Sequence, residues 1–187
     1  MLNQKDLARE LIVQENEKER SLSAEKEVIV VKDFLPARTC TLLEEFVLFK
    51  CKHQYGHNSN HNDENCFYTV FLNKKWFLYN YLINEICHTL KLSKLILSRF
   101  YANIQYPGMN GTWHVDEGDD QARTALIMLG PTQPKGVGIF QTRDKDIDFE
   151  RGKLIFFKGR VLHRALSGNN PHYPRITLAF KLTLPEA

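Results

Sequence analysis

At 187 residues, with 43% hydrophobic and 25% charged residues, the chain has the composition of one globular domain that can bury a sizeable core. Its net charge of +3 is too small to indicate nucleic acid as a partner. Residues 1–6 lack the apolar core of a signal peptide, and the sequence has no run of about 18 apolar residues, so we expect a cytoplasmic protein without a membrane span.

The chain begins with a predicted charged extension. Residues 1–27 are rich in Glu and Lys and carry a thin apolar stripe of Leu7, Leu11 and Ile12, which favours a helix. Residues 28–187 are predicted to form a single domain. The four cysteines show no Cys-x-x-Cys spacing, so we assign them no metal or disulfide role.

The first part of the domain is predicted to contain one strand and two helices. Residues 28–31 are typical of a strand. The helix that follows carries Leu42, Leu43, Phe46, Val47 and Phe49 mainly on one side. A second, strongly apolar helix at residues 74–92 is expected to pack against the same sheet.

Between these helices lies a histidine-rich segment, residues 53–65. His53, His57 and His61 are spaced i, i+4, i+8, which on a helix would align them for a metal, but Gly56 and the neighbouring Asn and Ser residues oppose a helix. Three interpretations stay open: a solvated surface loop, which the composition favours, a lid over the substrate, and a second metal site.

The second half of the domain is predicted to be mostly strands. Extended patterns at residues 95–105, 124–129, 137–142, 152–157 and 175–182 are separated by Gly and Pro at about ten-residue spacing. This pattern indicates a barrel or jelly roll, and therefore a mainly β fold with flanking α-helices.

A metal site is predicted at Trp113-His114-Val115-Asp116. Residues i and i+2 of a strand project from one face, so the imidazole of His114 and the carboxylate of Asp116 converge while Val115 points away. Two His and one carboxylate are the facial ligand set of non-haem Fe(II) oxygenases. The best third ligand is His163, after the apolar strand at 152–157, although alone it could equally be a core histidine.

The last predicted strand carries a candidate anion-binding residue. Its apolar residues share one face, while Arg175 and Thr177 lie on the face that lines the barrel. An inward arginine is costly unless it is paired, and its fork suits a carboxylate, here the distal carboxylate of 2-oxoglutarate. Alone, an arginine paired with a protein Asp or lying at the rim would be the better interpretation.

Taken together, these motifs resemble the prolyl 4-hydroxylase-like branch of the Fe(II)/2-oxoglutarate dioxygenases. The match spans about residues 28–183 and rests on VKDFLP at 31–36, YPG at 106–108, HVD at 114–116, GKLIFF at 152–157, His163 and Arg175. The resemblance implies a double-stranded β-helix (jelly-roll) core, Fe(II) held by His114, Asp116 and His163, and 2-oxoglutarate held by Arg175.

The resemblance also implies further site residues and a reaction. Tyr106 and Thr124 occupy places where related enzymes put co-substrate residues, and Thr177 lies beside Arg175 on the strand. The apolar Leu126 and Met128 depart from the family pattern. The implied reaction uses O₂, hydroxylates a C–H bond and releases succinate and CO₂, with ascorbate as a candidate reductant.

The substrate is left open by the sequence. A peptide or protein residue is the family analogy, and an amino acid or other small molecule is an alternative. A nucleic-acid demethylase of the alkylation-repair type would use Arg175 and Lys181, but no basic and aromatic recognition loop is evident. A non-catalytic β-helix binding domain is the non-enzymatic alternative.

Overall fold

The computed structural model describes residues 27–57 and 66–185. The predicted helical extension, apart from residue 27, and residues 58–65 of the histidine-rich segment lie outside the described residues. The domain boundary at residues 27 and 28 therefore stays a prediction.

Ten strands and two helices make up the described part of the chain. In order they are β1 (Val28–Val31), α1 (Ala37–Lys50), β2 (Gln54–His57), β3 (Phe67–Phe71), α2 (Trp76–Leu90), β4 (Ile96–Gln105), β5 (Ala122–Met128), β6 (Phe140–Thr142), β7 (Asp146–Ile147), β8 (Leu154–Lys158), β9 (His163–Ala165) and β10 (Arg175–Thr183). No helix among the described residues is long and apolar enough to cross a membrane.

The strands form two antiparallel sheets. The major sheet has the order β1-β8-β5-β10-β4-β3-β2, and the minor sheet has the order β7-β6-β9. One apolar cluster joins the sheets, with Leu126 and Phe157 from the major sheet and Phe140 from the minor sheet. The predicted mainly β jelly-roll core with flanking helices is confirmed.

A second apolar cluster fills the space between the major sheet and the helices. Strand β10 contributes Ile176, Leu178, Phe180 and Leu182 to it, and α2 contributes Leu82 and Ile86. Ala179, from the opposite face of β10, belongs to the cluster between the sheets. The alternation predicted for this strand is thus confirmed, and it separates the helix side from the site side.

Helix α1 buries a narrower face than its composition suggests. Cys40 and Val47 are buried, whereas Leu42 and Phe49 are 59% and 74% exposed. Because each residue advances about 100° around a helix, Leu42 lies about 200° from Cys40. The prediction of one shared apolar side is therefore wrong for Leu42 and Phe49.

The start of the histidine-rich segment is a strand and not a loop. Strand β2 pairs with β3 at the edge of the major sheet, with an irregularity between Tyr55 and His57 where Gly56 has a φ of 103°. A positive φ is easily adopted by glycine. This pairing brings His57 toward the interior of the sandwich, where its ring packs against Phe67 and Tyr101.

Candidate metal and co-substrate site

His114 and His163 face each other across one isolated β-bridge. The amide of His114 donates to the carbonyl of His163 at 3.0 Å, and the amide of His163 donates to the carbonyl of His114 at 2.9 Å. Directly paired residues project from the same face, and the two ring centroids are 4.3 Å apart. The ligand segment is thus held by this bridge, where the sequence had predicted a strand end.

Asp116 completes a compact set of three potential ligands. Its amide donates to the carbonyl of Gly159 at 2.9 Å. Its Oδ1 lies 3.5 Å from Nε2 of His114, and its Oδ2 lies 3.8 Å from Nε2 of His163. One ligand atom from each of the three residues lies within 4.8 Å of the others.

The backbone fixes which ring nitrogen of each histidine is free. Nδ1 of His114 lies 2.8 Å from the carbonyl oxygen of Thr112, and Nδ1 of His163 lies 2.8 Å from that of Val161. A carbonyl only accepts, so Nδ1 carries the proton and the lone pair of each Nε2 faces the site, as a metal ligand requires. Burial lowers the pKa of His163 to about 4, which keeps it neutral at neutral pH.

Thr124 and Lys181 hold the carboxylate of Asp116. The hydroxyl of Thr124 donates to Oδ2 at 2.6 Å, and Nζ of Lys181 contacts the same oxygen. Burial alone would raise the pKa of Asp116, but the charge and the hydrogen bond of Lys181 outweigh it and hold that pKa well below its usual range. With Oδ2 engaged by these two donors, Oδ1 is available to a metal.

Arg175 is a buried cation with an unused donor. It is 1% exposed; its Nε donates to the carbonyl of Gly138 at 2.9 Å and its Nη1 to Oε1 of Gln105 at 2.7 Å. The guanidinium stacks over the ring of Phe149, and its buried Nη2 has no hydrogen-bond partner. Burial lowers the pKa of Arg175 to about 9, so the side chain stays charged at neutral pH.

A cavity of about 460 Å³ opens beside the three ligands, along strand β4. The residues of β4 that share one face, Arg99, Tyr101, Asn103 and Gln105, all line it. Gln105 lies between the cavity and the guanidinium of Arg175, which does not itself line the cavity. Gln105 is fixed in turn because its Nε2 donates to the carbonyl of Met109 at 2.8 Å.

The other predicted co-substrate residues lie at different places. Thr124 lines the cavity beside the metal ligands. Thr177 is buried in β10 opposite Asn103 and does not line the cavity. Tyr106 faces a separate depression with His53, Tyr68 and Met109, and its ring contacts Tyr68 edge-on at 6.1 Å between centroids.

Sequence reasoning missed several lining residues although a signal was present. Strand 95–105 was identified, but its alternation was not extended to the site; antiparallel pairing with β10 places Gln105 opposite Arg175 and Arg99 opposite Lys181. Lys181 was named with Arg175 as a basic residue for a nucleic-acid substrate, whereas in the structure its Nζ contacts Asp116. Nothing local in the sequence indicates His57, which depends on the pairing of β2.

No protein-family model matches the sequence, and no curated protein matches it. Solved structures resemble it over nearly the whole chain. An oxidoreductase of the 2OG-Fe(II) oxygenase family from Burkholderia pseudomallei superposes with a TM-score of 0.70 at 10% identity, covering 92% of each chain. The fold is that of the 2OG-Fe(II) oxygenases.

Two further structures show how widely this fold is used. A Trichoplax adhaerens prolyl hydroxylase in complex with a hypoxia inducible factor peptide fragment has a TM-score of 0.62 and 14% identity, covering 92% of this chain and 93% of its own. SnoN, an alpha ketoglutarate dependent epimerase of nogalamycin biosynthesis, has a TM-score of 0.67 and 14% identity, covering 91% and 83%.

The residues present fit the iron and 2-oxoglutarate that this oxygenase fold implies. Two imidazole lone pairs and a carboxylate converge with no proton shared among them, an arrangement that favours a divalent cation. The unpartnered Nη2 of Arg175 is a buried donor on a cation, which favours a carboxylate.

Proposed function

We propose that the chain is an Fe(II)- and 2-oxoglutarate-dependent dioxygenase that hydroxylates a C–H bond and releases succinate and CO₂. The observation that carries this proposal is the group of His114, Asp116 and His163, whose ligand atoms lie within 4.8 Å of one another on one side of the cavity. Three ligands on one side leave the remaining metal positions open to co-substrate and O₂.

Each residue of the site has a defined task in this proposal. His114, Asp116 and His163 would hold the metal, and Thr124 with Lys181 would keep Asp116 bound through a single oxygen. Iron, when bound with 2-oxoglutarate and O₂, supplies the oxidising chemistry. The buried phenol of Tyr101, whose pKa burial raises, stays neutral in the cavity wall.

Arg175 would bind the distal carboxylate of 2-oxoglutarate through Nη2. Because the guanidinium does not line the cavity, the carboxylate would reach it past Gln105. Nε and Nη1 are already hydrogen-bonded to Gly138 and Gln105, so Nη2 is the nitrogen left for the carboxylate. Neither Tyr106 nor Thr177 lines the cavity, and their co-substrate roles stay predictions. The roles of O₂ and of ascorbate as a reductant also belong to the proposal, as does a cytoplasmic location.

A peptide or protein residue is the substrate class that we place first. Support comes from the prolyl hydroxylase whose structure holds a peptide fragment. A small molecule is the second candidate, since an epimerase of nogalamycin biosynthesis shares the fold. The fold itself does not choose between these two classes.

Succinate release by the purified protein would test the proposal. The protein is supplied with Fe(II), 2-oxoglutarate and a panel of prolyl peptides, metabolites and nucleosides. We expect turnover in the wild type and none in His114→Ala or His163→Ala, because two remaining ligands do not hold Fe(II) facially. His88→Ala, at an exposed position of α2, is the matched control. A wild-type protein that bound neither Fe(II) nor 2-oxoglutarate would instead be a binding domain.

A further inference from the structure

The end of the cavity near the metal ligands holds two cations on neighbouring strands. Arg99 of β4 and Lys181 of β10 are directly opposite each other in the sheet. Like charges at such positions destabilise a sheet unless an anion accompanies them. Lys181 has one, because its Nζ contacts Asp116.

Arg99 has no such partner among the described residues. No carboxylate of the described part of the chain lies within ion-pair distance of it; its guanidinium instead stacks over the ring of Tyr101, 5.2 Å from the centroid. Tyr101 is a buried wall of the cavity, and Arg99 lines the cavity beside it. The stacking therefore keeps the cation at this end of the cavity.

Within the described part of the chain, the charges of the loaded cavity leave Arg99 without a counter-ion. The charged side chains among the described residues that line it, histidines aside, are Arg99, Lys181 and Asp116. Lys181 and Asp116 neutralise each other, and the two carboxylates of 2-oxoglutarate balance only two of the three positive charges of Fe(II) and Arg175. Positive charge therefore remains, and Arg99 carries part of it at an exposed position of the cavity wall. Charges beside low-dielectric walls are less screened than those on an open surface.

We propose that the substrate carries an anionic group, a carboxylate or a phosphate, which binds Arg99 while the carbon to be hydroxylated faces the metal. This inference rests on the proposed function, since it assigns a substrate class to that site. A guanidinium stacked on an aromatic ring keeps its N–H donors free for the oxygen atoms of such a group. Matched neutral compounds are therefore expected to be poor substrates.

Anion binding can be tested without turnover and without knowing the substrate. Protein loaded with Zn(II) and 2-oxoglutarate is titrated at low salt with acetate and, separately, with inorganic phosphate, while NMR follows the backbone amides of β4 and the side-chain N–H of Arg99. We expect the wild type to show a saturable chemical-shift change. In Arg99→Gln the anion affinity obtained from this change should be at least about tenfold lower, because a hydrogen bond to a charged group is lost. The stronger of the two anions identifies the group on the substrate.

Arg38→Gln provides the matched control, because Arg38 is exposed on α1. It should bind both anions as the wild type does. An absent shift, or an equal affinity in Arg99→Gln, would place any anion on the metal or elsewhere and overturn the proposal.

The same variants separate this proposal from the proposed function. Arg99→Gln should retain wild-type affinity for the metal and for 2-oxoglutarate, since neither of their ligand sets includes it. A weakened affinity for 2-oxoglutarate would make Arg99 a co-substrate residue and refute its assignment to the substrate. Failure of the wild type to bind metal or 2-oxoglutarate would refute the dioxygenase function. The anion titration, repeated on the unloaded wild type and Arg99→Gln, would then still show whether Arg99 binds an anion.

Discussion

The protein uses only part of the guanidinium of Arg175. Nε and Nη1 are bound by Gly138 and Gln105, while Nη2 is buried without a partner. Two internal bonds fix the orientation of the group, and the third nitrogen keeps a donor for a carboxylate. A residue that only stabilised the fold would be expected to have all its buried donors paired.

Replacement of Arg175 should therefore weaken co-substrate binding specifically. Arg175→Ala leaves the far carboxylate of 2-oxoglutarate unpaired, and losing one partner of such a pair lowers affinity about 30-fold to several thousand-fold. Arg175→Lys should be milder, because an ammonium keeps the charge but cannot replace the three-point geometry. Anaerobic titration of 2-oxoglutarate into the Fe(II)-loaded variants measures this, and equal affinity in the wild type and Arg175→Ala would contradict the assignment.

Gln105 offers a sharper test because it contacts Arg175 from the cavity side. Gln105→Glu places a carboxylate where Oε1 now lies, 2.7 Å from Nη1 of Arg175. This internal anion would neutralise Arg175 and repel the co-substrate, lowering 2-oxoglutarate affinity about tenfold or more. Metal affinity should be unchanged, because Gln105 is not one of the three proposed metal ligands. Gln105→Met, which adds no charge, is the control, and a Gln105→Glu protein with wild-type affinity would show that 2-oxoglutarate binds away from Arg175.

At the scale of elements, regular patterns were predictable and edge pairing was not. The alternation of β10 and the order of His114, Asp116, His163 and Arg175 are local or sequential signals, and they led to the jelly roll and to the grouped ligands. The pairing of β2 with β3 depends on residues far apart and on a bulge at Gly56, so a polar composition suggested a loop.

The side of the sheet on which a residue projects was also not predictable from the motif alone. Tyr106 and Gln105 are adjacent, but Gln105 ends β4 on the cavity side while Tyr106 follows the strand and faces another depression. A shift of one residue moves a side chain to the other face of a sheet. The motif around Tyr106 therefore located the correct turn, and it could not show which side chain reaches the cavity.

The connection between β1, α1 and β8 depends on one glycine. Gly152 has a φ of 80°, and an added Cβ would collide with the carbonyl oxygen of Leu35, whose amide is bound to the Gly152 carbonyl at 3.1 Å. Gly152→Ala should lower the free energy of unfolding by more than the roughly 1–2 kcal/mol of a left-handed residue. Gly108→Ala, with a φ of 88° and no atom within 4 Å, is the control for backbone strain alone. Denaturant unfolding measures the free energy of unfolding of both variants. An equal decrease in the two would exclude a steric contribution at Gly152.

Over the whole molecule, the site joins parts of the chain that belong to different sheets. His163 begins β9 of the minor sheet, while Asp116 is held by Thr124 of β5 and Lys181 of β10 in the major sheet. His114 is attached through its bridge to His163. A metal bound by all three ligands would cross-link the open end of the sandwich, so metal binding and global stability are expected to be coupled.

Metal should therefore raise the melting temperature, because it binds the folded protein and not the unfolded chain. At a free concentration 100 times its Kd, a ligand that binds only the folded protein adds about 2.7 kcal/mol. For a chain of this length each kcal/mol corresponds to roughly 2–4 °C, so Fe(II) under anaerobic conditions, or Zn(II), should raise Tm by about 5–10 °C. A chelator should reverse the shift.

The variants test which residues bind the metal. His163→Ala should melt at the same temperature with and without metal, whereas His88→Ala, altered on the outer face of α2, should show the full shift. Equal metal stabilisation of His163→Ala and the wild type would mean that the metal binds outside this group of ligands.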